Sequence, residues 1–118
     1  EAQQGQQIFN GEGGCIVCHT ATGPDTEAVI QGRVQGFLSG GPIVPGPNLT
    51  DLATRETFAA GIAELNRENL RQWLTNPDSI KEGNRMAELA SVYQTPSGNT
   101  RLSPDEVSAL IEYLLTLQ

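Results

Sequence analysis

Cys15-Ile16-Val17-Cys18-His19 holds both cysteines and the only histidine of a chain of 118 residues, and its reading decides the fold. Random placement of two Cys and one His would produce this C-x-x-C-H order roughly once in seven thousand chains. The run therefore asks for a chemical explanation. Positions 15, 18 and 19 stand at i, i+3 and i+4, which one helical turn brings to one face. Two thiols so placed can add to the two vinyl groups of a single haem while the adjacent imidazole reaches the iron, which is c-type attachment.

Three other readings are weaker. A disulfide across C-x-x-C closes so short a loop that it constrains little of the unfolded chain. A thioredoxin-like dithiol opens a helix after a buried strand, whereas Asn10-Gly11-Glu12-Gly13-Gly14 is a glycine-rich turn with no apolar strand ahead of it. Tetrahedral zinc wants four ligands, and with both Cys and the sole His used in one turn only carboxylates are left.

With His19 on one side of the iron, the candidates for the other side are Met86, a Lys such as Lys81, a Tyr such as Tyr93, or no ligand at all. A lone Met is ordinarily a core filler. Lys81-Glu82-Gly83-Asn84-Arg85-Met86-Ala87 is instead polar and contains glycine, so it reads as a loop from which Met86 can point at a metal. Met86 is the favoured candidate. A thioether ligand and an apolar pocket both favour Fe(II) and raise the reduction potential, and two filled axial positions leave outer-sphere electron transfer as the chemistry.

The rest of the chain bounds the setting. Its length suits one domain, residues 1–118. The hydrophobic set is 37% of residues, and only the 13 glycines bring the apolar share to about half, the usual value for a globular chain. Core-forming side chains are thus sparse, and a bound haem is expected to supply the missing apolar mass, leaving the apoprotein largely unfolded. No apolar run is long enough to span a membrane, and the first residues have neither the basic start nor the apolar stretch of a signal peptide. Without an initiating Met, the chain reads as processed or excised. Seven basic and fourteen acidic residues give a net charge of −7, which argues against nucleic acid or anionic lipid as main partner and favours a basic protein.

Local signals predict an all-α fold with long loops. A first helix runs from about Ala2 to Asn10, with Gly5 and Phe9 on one side. A middle helix starts at an Asn66 cap, carries Leu70, Trp73 and Leu74 on one face, and stops at Asn76-Pro77. The last helix has a Ser103 cap, Pro104 at the first position and Glu106 completing a capping box, followed by the stripe Val107, Leu110, Ile111, Leu114 and Leu117. Nothing alternates with period two. Residues 20–48 are rich in Gly and Pro, with a short helix possible over 26–31, and residues 94–101 read as a turn.

The ordered set Gly5/Phe9, C-x-x-C-H, Pro47-Asn48-Leu49, Trp73, Met86 and Tyr113 resembles the class I c-type cytochromes over nearly the whole chain. That resemblance implies four to five helices and long loops around one covalently bound haem c. It implies N- and C-terminal helices crossing with Gly5 and Phe9 against Leu110 and Tyr113, and a Pro47 carbonyl accepting the His19 Nδ1–H. A narrower likeness, through Gly46 to Leu52 with Arg55, Thr57 to Gly61, Asn69-Leu70, Trp73-Leu74, Asn76-Pro77 and Lys81 to Met86, is to the cytochrome c domain fused to subunit II of caa3-type cytochrome c oxidases. By that likeness Trp73 and Arg55 are candidates to hydrogen-bond the haem propionates. Two departures stand out. The interval from His19 to Pro47 is longer than the family's, so that about 22–42 looks like an insertion, and Ala87 follows Met86 where the family often has proline.

The resemblance implies an electron-transfer domain rather than an enzyme in its own right. It would take electrons from a soluble donor and pass them to the oxidase copper centre, whose own Cys, His and Met ligands this chain lacks. The alternatives are a free periplasmic cytochrome c shuttle and a haem-based ligand sensor with an open sixth position. A peroxidase would need a second His as distal acid/base. Thioether attachment outside the cytoplasm implies a periplasmic or extracytoplasmic-face location.

Overall fold

The computed structural model describes residues 1–21, 31 and 47–118. Helices α1 (Ala2–Asn10), α2 (Arg67–Thr75), α3 (Arg85–Leu89) and α4 (Pro104–Leu114) are joined by 3-10 turns at Cys15–Val17, Leu52–Thr54, Pro77–Ser79 and Ser91–Tyr93. The architecture is mostly helical, as the pattern predicts. The expected helix over 26–31 and the 22–42 insertion lie outside the described residues, Gln31 excepted.

Helix α4 forms where its signals fall. The Ser103 hydroxyl accepts from the Glu106 amide while the Glu106 carboxylate accepts from the Ser103 amide at 2.8 Å, the full capping box. Asp105 and Glu106 in the first turn also meet the positive end of the helix dipole. Its buried face, including Val107, Leu110, Ile111 and Leu114, packs on α1 and α2. Beyond the helix Leu117 is buried too, and its carbonyl accepts from the Ala53 amide at 2.8 Å, tying the Leu52–Thr54 turn to the C-terminus.

Helix α1 buries Gly5, Ile8 and Phe9, one stripe at i, i+3 and i+4. Phe9 meets Tyr113 edge to face, ring centroids 5.6 Å apart. At Gly5 the two backbones nearly touch: a Cβ there would lie 2.0 Å from the Ala109 carbonyl oxygen and 2.7 Å from the Tyr113 Cβ. The backbone partner of Gly5 is thus Ala109, one residue from the expected Leu110, because the glycine sits over main chain rather than beside a side chain.

Helix α2 opens on Asn66, whose side chain accepts from the Asn69 amide at 2.8 Å, and buries Leu70 and Leu74. Its Arg67 pairs with Glu112 of α4 through two contacts of 2.9 and 3.2 Å, an exposed pair that adds little. Ahead of it stands a hairpin the pattern did not predict, β1 (Thr57–Phe58) antiparallel to β2 (Ala63–Glu64). Strands of two residues are too short to display an alternation. Its connection carries Ala59 and Ala60 at φ 53° and 59°, a left-handed conformation that alanine propensity argues against. Phe58 of this hairpin lies edge-on to Trp73, centroids 5.9 Å apart.

Gly5→Ala is expected to force α1 off α4 and to cost about 3 kcal/mol or more of stability, at the upper end of overpacking effects. Denaturant unfolding of the haem-loaded protein checks this; a variant within about 0.5 kcal/mol of wild type, the scatter of an ordinary surface substitution, would mean the helices do not meet at this point.

Candidate functional site

The C-x-x-C-H run hangs directly from the end of α1. The Gly13 amide donates to the Ile8 carbonyl at 2.8 Å and the Gly14 amide to the Gly11 carbonyl at 3.0 Å. Gly14 then takes φ +65°, a conformation glycine adopts without steric cost, and turns the chain into Cys15–Val17. The Cys15 carbonyl accepts from the amides of both Cys18 (3.1 Å) and His19 (2.9 Å), so positions 15, 18 and 19 share a single helical turn. Both cysteines are half-buried and not bonded to each other. Cys15 packs against the hydrophobic core, and burial pushes the pKa of its thiol up to about 11. A redox dithiol needs the opposite shift. Among the described residues no cluster of three His, Cys, Asp or Glu is arranged to hold a metal ion, which leaves zinc without a ligand set there.

His19 Nδ1 lies 2.8 Å from the Pro47 carbonyl oxygen. A carbonyl can only accept, so Nδ1 carries a proton, and in the neutral ring the lone pair then falls on Nε2, the tautomer a metal requires. The loop supplying that carbonyl is itself fastened. The Leu49 amide donates to the Thr20 carbonyl at 2.7 Å, next to the histidine, and Asn48 Oδ1 accepts from the Thr50 amide (3.0 Å) and hydroxyl (2.6 Å). Arg55 donates through Nη2 to the Asn48 carbonyl at 2.7 Å, and its guanidinium is 3.8 Å from Asp51. Its observed work is therefore to brace the Pro47-Asn48 segment, a role sequence reasoning missed because it is a contact with backbone.

Met86 differs from expectation in its secondary structure. It sits in the first turn of the short helix α3 rather than in a loop, half-buried and packed on the same core cluster as Cys15, Leu49, Phe58 and Trp73. Cys15, Trp73 and Met86 thus each pack against the same hydrophobic core cluster. The helix was hidden because it spans five residues, but its start signal was present in Asn84, whose side chain accepts from the Ala87 amide at 2.8 Å. Of the other ligand candidates, Lys81 is exposed. Tyr93 is buried and donates its hydroxyl to the Leu74 carbonyl at 2.8 Å, and burial raises its pKa, so it is held as a neutral donor.

Two thiols one turn apart, an imidazole with its Nδ1 proton committed, and a half-buried thioether fit a covalently attached haem. The chain belongs to the cytochrome c family, whose model matches residues 2–118, and that membership implies haem c. It is 36% identical over 117 residues, 99% of the chain, to cytochrome c oxidase subunit 2 of Bacillus sp. (strain PS3) and equally to that of Bacillus subtilis (strain 168). The subunit 2 of Alkalihalophilus pseudofirmus is 33% identical over the same share. In each case the match takes up 26% of the relative, so the chain spans about a quarter of these proteins. No helix among the described residues is long and apolar enough to cross a membrane.

Tyr93→Phe removes one buried hydrogen bond and leaves the Leu74 carbonyl to be satisfied otherwise, for an expected loss of about 1 kcal/mol. Denaturant unfolding reads that loss. The visible spectrum of the haem-loaded variant is expected to match wild type; a changed spectrum would make Tyr93 a ligand.

Proposed function

We propose that the chain is a single cytochrome domain, residues 1–118, that carries one electron at a time on a haem c bonded to Cys15 and Cys18 and ligated by His19 and Met86. The observation that carries this reading is the 2.8 Å contact of His19 Nδ1 with the Pro47 carbonyl, which would leave Nε2 to serve as a ligand in the same turn as Cys15 and Cys18. When bound, the haem supplies a one-electron Fe(III)/Fe(II) couple. Cys15 and Cys18 would hold the ring as thioethers, the S–H of each thiol adding across one vinyl group. His19, oriented by Pro47, is the stronger donor for having its other nitrogen hydrogen-bonded. Met86 would supply a soft sulfur that favours the reduced metal. Trp73, edge-on to Phe58, and Arg55, beside the Pro47 loop, are the candidates to meet the propionates.

The relatives support a place for this domain in an oxidase. They are named as cytochrome c oxidase subunit 2, and we assign this domain to the step in which a soluble donor protein passes an electron to the oxidase copper centre, at the periplasmic or extracytoplasmic face of the membrane. Ile16 and Val17, 50% and 60% exposed between the two cysteines, put apolar surface where a brief encounter can bring two redox groups close. Net charge −7 attracts a basic donor over a longer range.

Met86→Ala is expected to abolish the sulfur-to-iron charge-transfer band of the oxidised protein; a wild type that lacks this band would refute thioether ligation. Oxidation of a basic donor by the haem-loaded domain should slow at least several-fold between low and physiological ionic strength, since exposed charges are screened over about 8–10 Å. Stopped-flow rates independent of salt would rule out electrostatic steering of the donor.

A further inference from the structure

Met86 lies in a helix of five residues, far too short to hold its own shape, and Ala87 comes directly after it. Something else must fix the sulfur. Asn84, 9% exposed, is the buried polar side chain of the described residues. Its Oδ1 accepts from the Ala87 amide at 2.8 Å, while its Nδ2 donates to the Lys81 carbonyl at 2.9 Å and to Asp78 Oδ1 at 3.2 Å. The same Asp78 oxygen accepts from the Gly83 amide at 3.0 Å. Asp78 in turn is held in the turn opened by Pro77, which is fully buried, with its amide donating to Asn76 Oδ1 at 3.1 Å. A continuous set of hydrogen bonds thus runs from an anchored turn to the amide of the residue after Met86.

The far end of α3 is held as well. Gln94 Nε2 donates to the Glu88 carbonyl at 2.8 Å, with longer contacts to the carbonyls of Ala87 and Ala90, and the Ala90 amide donates to the Met86 carbonyl at 3.0 Å. We propose that Asn84 and Asp78 are positioning residues for the Met86 thioether, holding α3 so that in the haem-loaded protein Met86 would stay on the metal and outside ligands would be kept off. The proposal rests on the reading of Met86 as the sixth ligand. Opening of α3 is a local unfolding event, and the apparent affinity of an outside ligand scales with the population of the opened state. Loss of the hydrogen bonds made by Asn84 raises that population.

The test is imidazole titration of the oxidised, haem-loaded protein, monitored in the visible spectrum together with the sulfur-to-iron band. Asn84→Ala and Asp78→Ala are each expected to tighten imidazole binding by roughly tenfold, with a double variant tighter by less than the product of the two effects because the contact between Asn84 and Asp78 is lost in both. Asn84→Ser keeps an acceptor for the Ala87 amide but loses the donor to Asp78, so it should fall between, and it serves in place of Asn84→Ala if that variant does not fold. Arg67→Gln, which breaks an exposed pair between α2 and α4, should leave imidazole affinity at the wild-type value. Wild-type imidazole affinity in both Asn84→Ala and Asp78→Ala, or in Asn84→Ser and Asp78→Ala where the first is unobtainable, overturns the positioning role. If instead Met86→Ala itself binds imidazole no more tightly than wild type and has the same spectrum, the ligand reading fails, and the proposal with it.

Discussion

The contact on which the rest of the structure depends is the approach of Gly5 to the Ala109 carbonyl. A Cβ at Gly5 would fall 2.0 Å from that oxygen, so only glycine lets α1 and α4 lie this close. With the helices locked there, and Phe9 set edge-on against Tyr113, the end of α1 has a fixed place. The Cys15–His19 turn leaves from that end, and the amides of Gly13 and Gly14 just ahead of it are hydrogen-bonded back to Ile8 and Gly11. Helices α1 and α4 thus determine where Cys15, Cys18 and His19 stand.

From that turn the site is assembled by short tethers between backbone and side chain. Pro47 holds His19, Thr20 holds Leu49, and Arg55 holds the Asn48 carbonyl. Around Met86, Asp78 and Asn84 hold the start of α3, and Tyr93 and Gln94 fasten the segment beyond it. Each link is worth only about 1 kcal/mol net, yet together they leave the two candidate ligands little freedom. A metal ligated by groups that do not move on electron transfer has little to rearrange, which suits an outer-sphere carrier.

The parts of this design that were legible in the sequence are those written in side chains with strong local rules. C-x-x-C-H announced the turn shared by Cys15, Cys18 and His19, and the Ser103, Pro104 and Glu106 triplet set the start of α4 to the residue. Asn66 and Asn76 likewise bounded α2. The features that escaped are written in backbone geometry or in pairings across distance. The hairpin at residues 57–64 has strands of two residues and turns on two left-handed alanines, so neither alternation nor propensity could point to it. Helix α3 is too short for any periodicity, and the partnership of Asn84 with Asp78, six residues apart across a turn, has no pattern of its own. Arg55 drew notice as a cation for propionates, while its visible partner is a carbonyl.

The proposed function has Cys15 and Cys18 thioether-linked to a single haem. Intact-mass measurement under denaturing conditions, on protein matured in cells able to attach haem c, tests that linkage most directly. The predicted result is one species heavier than the bare chain by one haem, with the added mass confined to the peptide carrying Cys15 to His19 and lost from a variant with both cysteines changed to alanine. A chain that denatures to its bare mass, or to that mass less the two hydrogens of a disulfide, would contradict it.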